Sequence, residues 1–282
     1  MFIFFAILSG LFFGALSLFQ RHLLKGNQSD PFAHSFFFSF TSALFILPFM
    51  LAKPAFNSDL WAWGLVLLLG LVVVAQNLLS FYALKHASAS ITGTIAKFRV
   101  IWVLLLGIAL SHESWSNLKG LGIMLTVIAG ILLVARFNQR AEWQGVMLAF
   151  IATLFYAVGI TIYTPLLAAF NIVTVTFLLF TVPTVLNFIL MKNAIPRIQR
   201  MYQQDGWRLL VLGFLSSMAN LTMIAAISLG DASPVLAMSE AILIVVILLG
   251  EFIILREHQH MTRKILAMTM AGCGAALIHL SV

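Results

Sequence analysis

Apolar runs long enough to cross a bilayer follow one another along almost the whole chain. The first is MFIFFAILSGLFFGALSLF at the amino terminus. Others fall at about 32–52, 60–84, 87–111, 118–136, 143–169, 172–191, 207–229, 232–255 and 264–281. The polar breaks between them are too short for a separate soluble domain. Continuous runs, without strict alternation, predict helices, which close their own backbone hydrogen bonds in lipid. Only 9% of residues are charged, against roughly 25% in a soluble domain. The expected fold class is therefore an all-α polytopic membrane protein with ten transmembrane helices. The first run lacks a basic leader and a small-residue cleavage site, so it is read as a retained span.

The net charge of +7 reads as basic loops rather than as a nucleic-acid surface. Arg21, Lys25, Lys85, Arg136, Arg140, Lys192, Arg197, Arg200, Arg208, Arg256, Arg263 and Lys264 fall on one side by loop parity, and Lys53 and Lys119 on the other. The positive-inside rule makes the first side cytoplasmic and puts both termini outside. A lone cysteine, Cys273, can form neither an intrachain disulfide nor a cysteine-based metal site. No GxxxxGKS/T loop, HExxH or GxSxG stands in the sequence, so neither an ATP motor nor a hydrolase is expected, and no cofactor or metal. His258 and His260 beside Glu257 are a weak metal motif.

A shift of 143 residues lays one half of the chain on the other. Leu11-Phe12 fall on Leu154-Phe155, Leu69-Gly70 on Leu212-Gly213, Asn77-Leu78 on Asn220-Leu221, Ala89-Ser90 on Ala232-Ser233, and Gly107 on Gly250. Residues 1–140 and 141–282 then form two five-helix repeats. Five spans is an odd number, so the second copy enters the membrane inverted. Inverted repeats are a transporter architecture, with a substrate site near the midplane where the copies meet.

The end of the fourth span of each copy carries a family resemblance. WVLLLGIALSHESWSNLKGLGIMLTVIAGILLVA in the first and VVILLGEFIILREHQHMTRKILAMTMAGCGAAL in the second each run from an apolar stretch through a polar loop into a small-residue-rich span. The chain resembles the drug/metabolite transporter superfamily in its ten-helix EamA-like branch, with Glu113 and Glu257 at the place of the family's loop glutamate. The preceding glycine of the common form is Ser-His in one copy and Leu-Arg in the other. Val100 and Ile244 stand where many members have proline, so substrate class does not carry over. The resemblance implies a multi-pass transporter of the bacterial inner membrane, often an exporter of amino acids or small metabolites. It also implies cytoplasmic termini, against the charge asymmetry, which is preferred here.

Four ionisable residues fall inside predicted spans: Lys97 and Arg99 in the fourth, Glu240 and Glu251 in the ninth. Each costs about 2.5–3.5 kcal/mol at a helix centre on insertion scales, so such residues usually face a cavity. The 143-residue shift places Lys97 on Glu240, and near a pseudo-two-fold axis the two would face each other. Lys97 and Arg99 lie about 200° apart on an ideal helix. Lys97 is expected to face Glu240, with Arg99 bracing a neighbouring helix or forming a wall. Bases can take a carboxylate or phosphate; Glu240 can take an ammonium group or a coupling proton. Further substrate-contact candidates are Asn77, Asn220, Tyr82, Tyr156, Tyr163 and Trp102. For the two asparagines, helix-to-helix hydrogen bonding is an equal reading; for the aromatics, ordinary packing is the competing one.

The expected activity is secondary transport, outward, of an amino-acid-like zwitterion or organic anion, with a small-molecule substrate and lipid as partners and a proton or counter-substrate open. Alternatives are uptake or exchange of an anionic, including phosphorylated, metabolite, translocation of a lipid-linked substrate, and a non-transporting scaffold. A monomer is expected, with a dimer left open. Gly120, Gly122 and Gly130 in the fifth span, and Ala271, Gly272, Gly274 and Ala275 in the tenth, are expected to join the halves by close packing.

Overall fold

The computed structural model describes residues 1–23, 30–56, 59–86, 95–96, 98–111, 115–134, 143–253 and 261–280. Regular structure among them is helical: α1 (Phe2–Leu23), α2 (Pro31–Ala52), α3 (Leu60–His86), α4 (Arg99–Ser111), α5 (Asn117–Val134), α6 (Trp143–Ala169), α7 (Ile172–Leu190), α8 (Ala194–Asp205), α9 (Arg208–Ile227), α10 (Ala232–Ile253) and α11 (Met261–Leu280). Six of these helices are long and apolar enough to cross a membrane: α1, α2, α3, α6, α7 and α9. Stretches of α4, α5, α10 and α11 are shorter but also apolar. Lys97, Glu113, Glu257, His258 and His260 lie outside the described residues.

Helix boundaries follow local chemistry. Asp30 caps α2 by accepting from the Phe32 and Ala33 amides at 3.1 and 3.4 Å, with Pro31 at the first helical position. Asn171 caps α7 through the Thr174 amide at 2.7 Å, and its own amide donates to the Lys53 carbonyl at 2.9 Å. The twelve-residue α8 falls between the predicted seventh and eighth spans, where a polar connection was expected. Asn193 at φ 53° and Gly206 at φ 48° bracket it. Both are left-handed positions that let the chain turn sharply onto and off this helix.

Contacts sort the helix ends onto two faces. Phe2 lies against Gly230, and Lys119 donates to Asp231 at 3.0 Å. Asn171 meets Lys53 and shares a cavity wall with Ser228. These ends make up one face. Asp30 and Arg197 meet at the other. Lys53 and Lys119 thus share one face, while Lys192, Arg197, Arg200 and Arg208 lie at the opposite one.

The helix pairings come in matched sets. α3 packs along α6 and α1 along α9; α1 also packs on α10, and α4 on α6; α2 packs on α7 and α5 on α11. Glycines mark the closest approaches. A Cβ on Gly70 of α3 would meet Val182 of α7 at 2.3 Å, and one on Gly213 of α9 would meet Thr41 of α2 at 2.4 Å. Gly122 of α5 and Gly274 of α11 lie backbone to backbone, whereas Gly272 faces open space.

Candidate functional site

The deepest charge in the described bundle belongs to Glu240, on α10, eight residues in from Ala232 and 2% exposed. Two contacts hold α10 to α1 there, and a third ties α1 to α9. A Cβ on Gly10 of α1 would meet the Ser239 carbonyl at 2.5 Å. The Ser9 hydroxyl donates to the Ala219 carbonyl of α9 at 3.1 Å, and Ser239 donates to Ser9 at 3.3 Å. A glycine-serine pair on α1 therefore seats the turn of α10 that carries the acid, with α9 on its other side. Sequence reasoning looked for small residues only in the fifth and tenth spans and passed over this pair.

Arg99 opens α4, and its Nη2 donates to Oε1 of Glu240. The approach is set by a turn at Phe98, whose amide donates to the Ile95 carbonyl at 3.0 Å before α4 begins. Arg99 also lies over the Tyr156 ring, its Cζ 4.8 Å from the centroid. Tyr156 is thirteen residues from either end of α6, which puts the guanidinium at mid-depth. The cation is thus held between a carboxylate and the negative face of an aromatic ring, an attraction that strengthens as water is removed. Sequence reasoning favoured Lys97 for the Glu240 position; the contact seen is with Arg99, and Lys97 falls outside the described residues.

Around this pair stand several other candidates. Trp102, one turn on from Arg99, packs edge-to-face on Phe150 of α6 at 5.5 Å. Tyr163 is buried, seven residues after Tyr156 and so on the same stripe of α6 about 10 Å away. Arg99 Nε and Trp102 Nε1 are buried donors with no hydrogen-bond acceptor among the described residues, and Asn77 Nδ2 on α3 is a third. Asn220 instead donates to the Ser216 carbonyl of its own helix at 2.9 Å. Tyr82 is exposed near the end of α3, within electrostatic reach of Arg197 and away from the middle of α6. Glu251 follows Glu240 on α10 by eleven residues. A cavity of about 400 Å³, lined by Thr164, Leu167, Phe170, Asn171, Ile172, Ile227 and Ser228, begins one residue beyond Tyr163. It lies on the face that holds Lys53 and Lys119.

Two further ion pairs, one on each face, tie residues before 141 to residues after it. Lys119, buried at the start of α5, meets Asp231. Asp30 meets Arg197 of α8, whose guanidinium also lies 5.4 Å from the Phe32 ring. Burial alone would raise the Asp30 pKa, but the Arg197 bonds and charge, with two backbone amides, hold it below the ordinary value of 3.8. Neither pair was foreseen, because nothing local in the sequence links residues so far apart.

Long apolar helices, an apolar exterior and a charged pair at mid-depth define an integral, multi-pass membrane protein. Residues 1–136 match the EamA-like transporter family, whose members are membrane transporters of small molecules, a match consistent with the drug/metabolite transporter superfamily. A solved structure titled only "Crystal structure of protein" shares the fold, with a TM-score of 0.75 and 18% identity over 98% of this chain and 99% of that one. No curated protein matches the chain.

Proposed function

We propose that this protein is a secondary transporter of a small organic metabolite bearing a carboxylate, an amino-acid-like zwitterion or organic anion, moved outward by alternating access. The working frame is ten crossing helices in two inverted repeats, residues 1–140 and 141–282. Matched helix pairings support that frame. Gly70 and Gly213, equivalent under the 143-residue shift, each make a close crossing with a helix of the other half.

The observation that carries the substrate reading is the donor set. Arg99 is fixed by Glu240 and Tyr156, yet its Nε and the Nε1 of Trp102, one turn apart on α4, remain buried without an acceptor among the described residues. Such donors cost free energy until they are paired. A carboxylate pairs with them in a charge-assisted way. The ammonium of a zwitterion would share Glu240, and an apolar side chain would lie along Tyr156 and Tyr163. Asn77, Lys97 and Asn220 remain secondary candidates. Exit toward the face of Lys53 and Lys119, the outer one by the charge asymmetry, uses the cavity beside Thr164 and Asn171.

A thermal-shift screen of amino acids, organic acids and sugar phosphates tests this, because a ligand that binds the folded state stabilises it by mass action. Carboxylates are expected to raise the melting temperature of the wild type and not of Arg99→Gln. An unshifted wild type across the screen, or equal shifts in the variant, would count against the reading. A second reading, uptake or exchange of a purely anionic metabolite, draws on the Arg99–Glu240 contact, which already occupies the acid. Glu240→Gln separates the two: anion binding kept with zwitterion binding lost favours the anion.

A further inference from the structure

Three consecutive residues of α8 meet three different surroundings. Met201 is buried against α2 and the start of α9, in a cluster with Ala33, Phe37 and Leu209. Tyr202, 63% exposed, and Arg200, also exposed, lie on either side of it. Successive helical residues step by about 100°, so the Met201 face is flanked by an exposed aromatic face and an exposed basic one. Ile195 lies within about 20° of Tyr202 around the helix and is 63% exposed. Trp207, just beyond Gly206, is 69% exposed. The apolar band that these residues extend is already present on the end of α7, where Phe188, Ile189 and Leu190 are exposed.

Charge follows the same geography. Between Met191 and Arg208 the chain carries Lys192, Arg197, Arg200 and Arg208 against one acid, Asp205. Arg197 is engaged by Asp30, and with Met201 it holds the inner side of α8 to the bundle. Lys192, Arg200 and Arg208 are exposed. A helix with protein on one side, apolar aromatics on a second and bases on a third has the make-up of an interfacial helix.

We infer that α8 is a docking site for anionic phospholipid: Ile195, Tyr202 and Trp207 enter the acyl boundary while Lys192, Arg200 and Arg208, spread along the helix, take headgroup phosphates of neighbouring lipids. Positive charge argues for an anionic occupant over a zwitterionic one. The exposed aromatics argue for a lipid over a free phosphate, since a soluble anion gains nothing from them.

The test uses the full-length protein in nanodiscs of phosphatidylcholine with or without phosphatidylglycerol, with retained lipid measured by native mass spectrometry. The wild type is expected to retain phosphatidylglycerol preferentially, and to do so less as salt rises, a readout that needs no variant. The triple variant K192Q/R200Q/R208Q is expected to weaken that preference by roughly fivefold per base removed. Y202A/W207A should weaken it as well, while K53Q on the opposite face should not. The proposal is overturned if the wild type shows no preference for the anionic lipid, if the triple variant retains it equally, or if glycerol phosphate binds the detergent-solubilised protein as tightly as the lipid does.

Discussion

Arg99 and Glu240 neutralise one another in a place where either alone would be costly. Removing one partner of a buried pair typically costs about 3–5 kcal/mol because it strands the other charge, whereas replacing both with apolar residues is often near neutral. Glu240→Ala is therefore expected to be markedly less stable than the double variant Arg99→Met/Glu240→Met in detergent denaturation curves. Trp102→Phe keeps the packing on Phe150 and deletes one donor. It is expected to weaken carboxylate binding roughly tenfold or more, the worth of a hydrogen bond to a charged group, with the melting temperature of the ligand-free protein little changed. Both charges were legible in the sequence, since an ionisable residue inside an apolar run needs a reason to be there. Which base meets Glu240 was not legible. Lys97 and Arg99 differ by about 200° on an ideal helix, but the turn at Phe98 means that ideal phasing does not extend across this segment.

At the scale of elements, close helix crossings decide how the site is held. Gly10→Ala is expected to force α1 off α10 beside Ser239 and cost about 1–3 kcal/mol, the usual range for overpacking. Gly272→Ala, with open space around it, is the matched control and should change melting little. The six helices long and apolar enough to cross a membrane were legible from hydropathy, because lipid permits few alternatives. α8 was not, because its sequence, AIPRIQRMYQQD, carries too many polar residues to read as an apolar run. The Asp30–Arg197 contact that docks this helix makes a pH prediction. Asp30 is held below its ordinary pKa of 3.8, so the contact's contribution is complete above that value and is lost as pH falls through the lower, folded-state one. Melting curves from about pH 6 to about pH 3 should show the wild type losing this increment, and Asp30→Asn lacking it throughout.

For the molecule as a whole, the two halves are tied on one face by Asp30–Arg197 and on the other by Lys119–Asp231. The proposed alternating access requires these ties to open in turn, so a disulfide across either pair (Asp30→Cys/Arg197→Cys or Lys119→Cys/Asp231→Cys) should abolish net transport until it is reduced. The proposed repeat rests on a shift of 143 residues, in which the glycine pairs Gly70/Gly213 and Gly107/Gly250 and the asparagine pair Asn77/Asn220 coincide where apolar matches alone would mean little. The ion pairs have no counterparts under that shift, so they stayed invisible until the chain was folded. The central claim is that substrate is held at Arg99 between Glu240 and Tyr156. Proteoliposome flux of the best stabilising carboxylate, compared between wild type and Arg99→Gln at equal reconstituted and folded protein, tests it most directly. The account predicts a loss of at least about a hundredfold, the effect of about 2.7 kcal/mol; flux in the variant within a few-fold of wild type would contradict it.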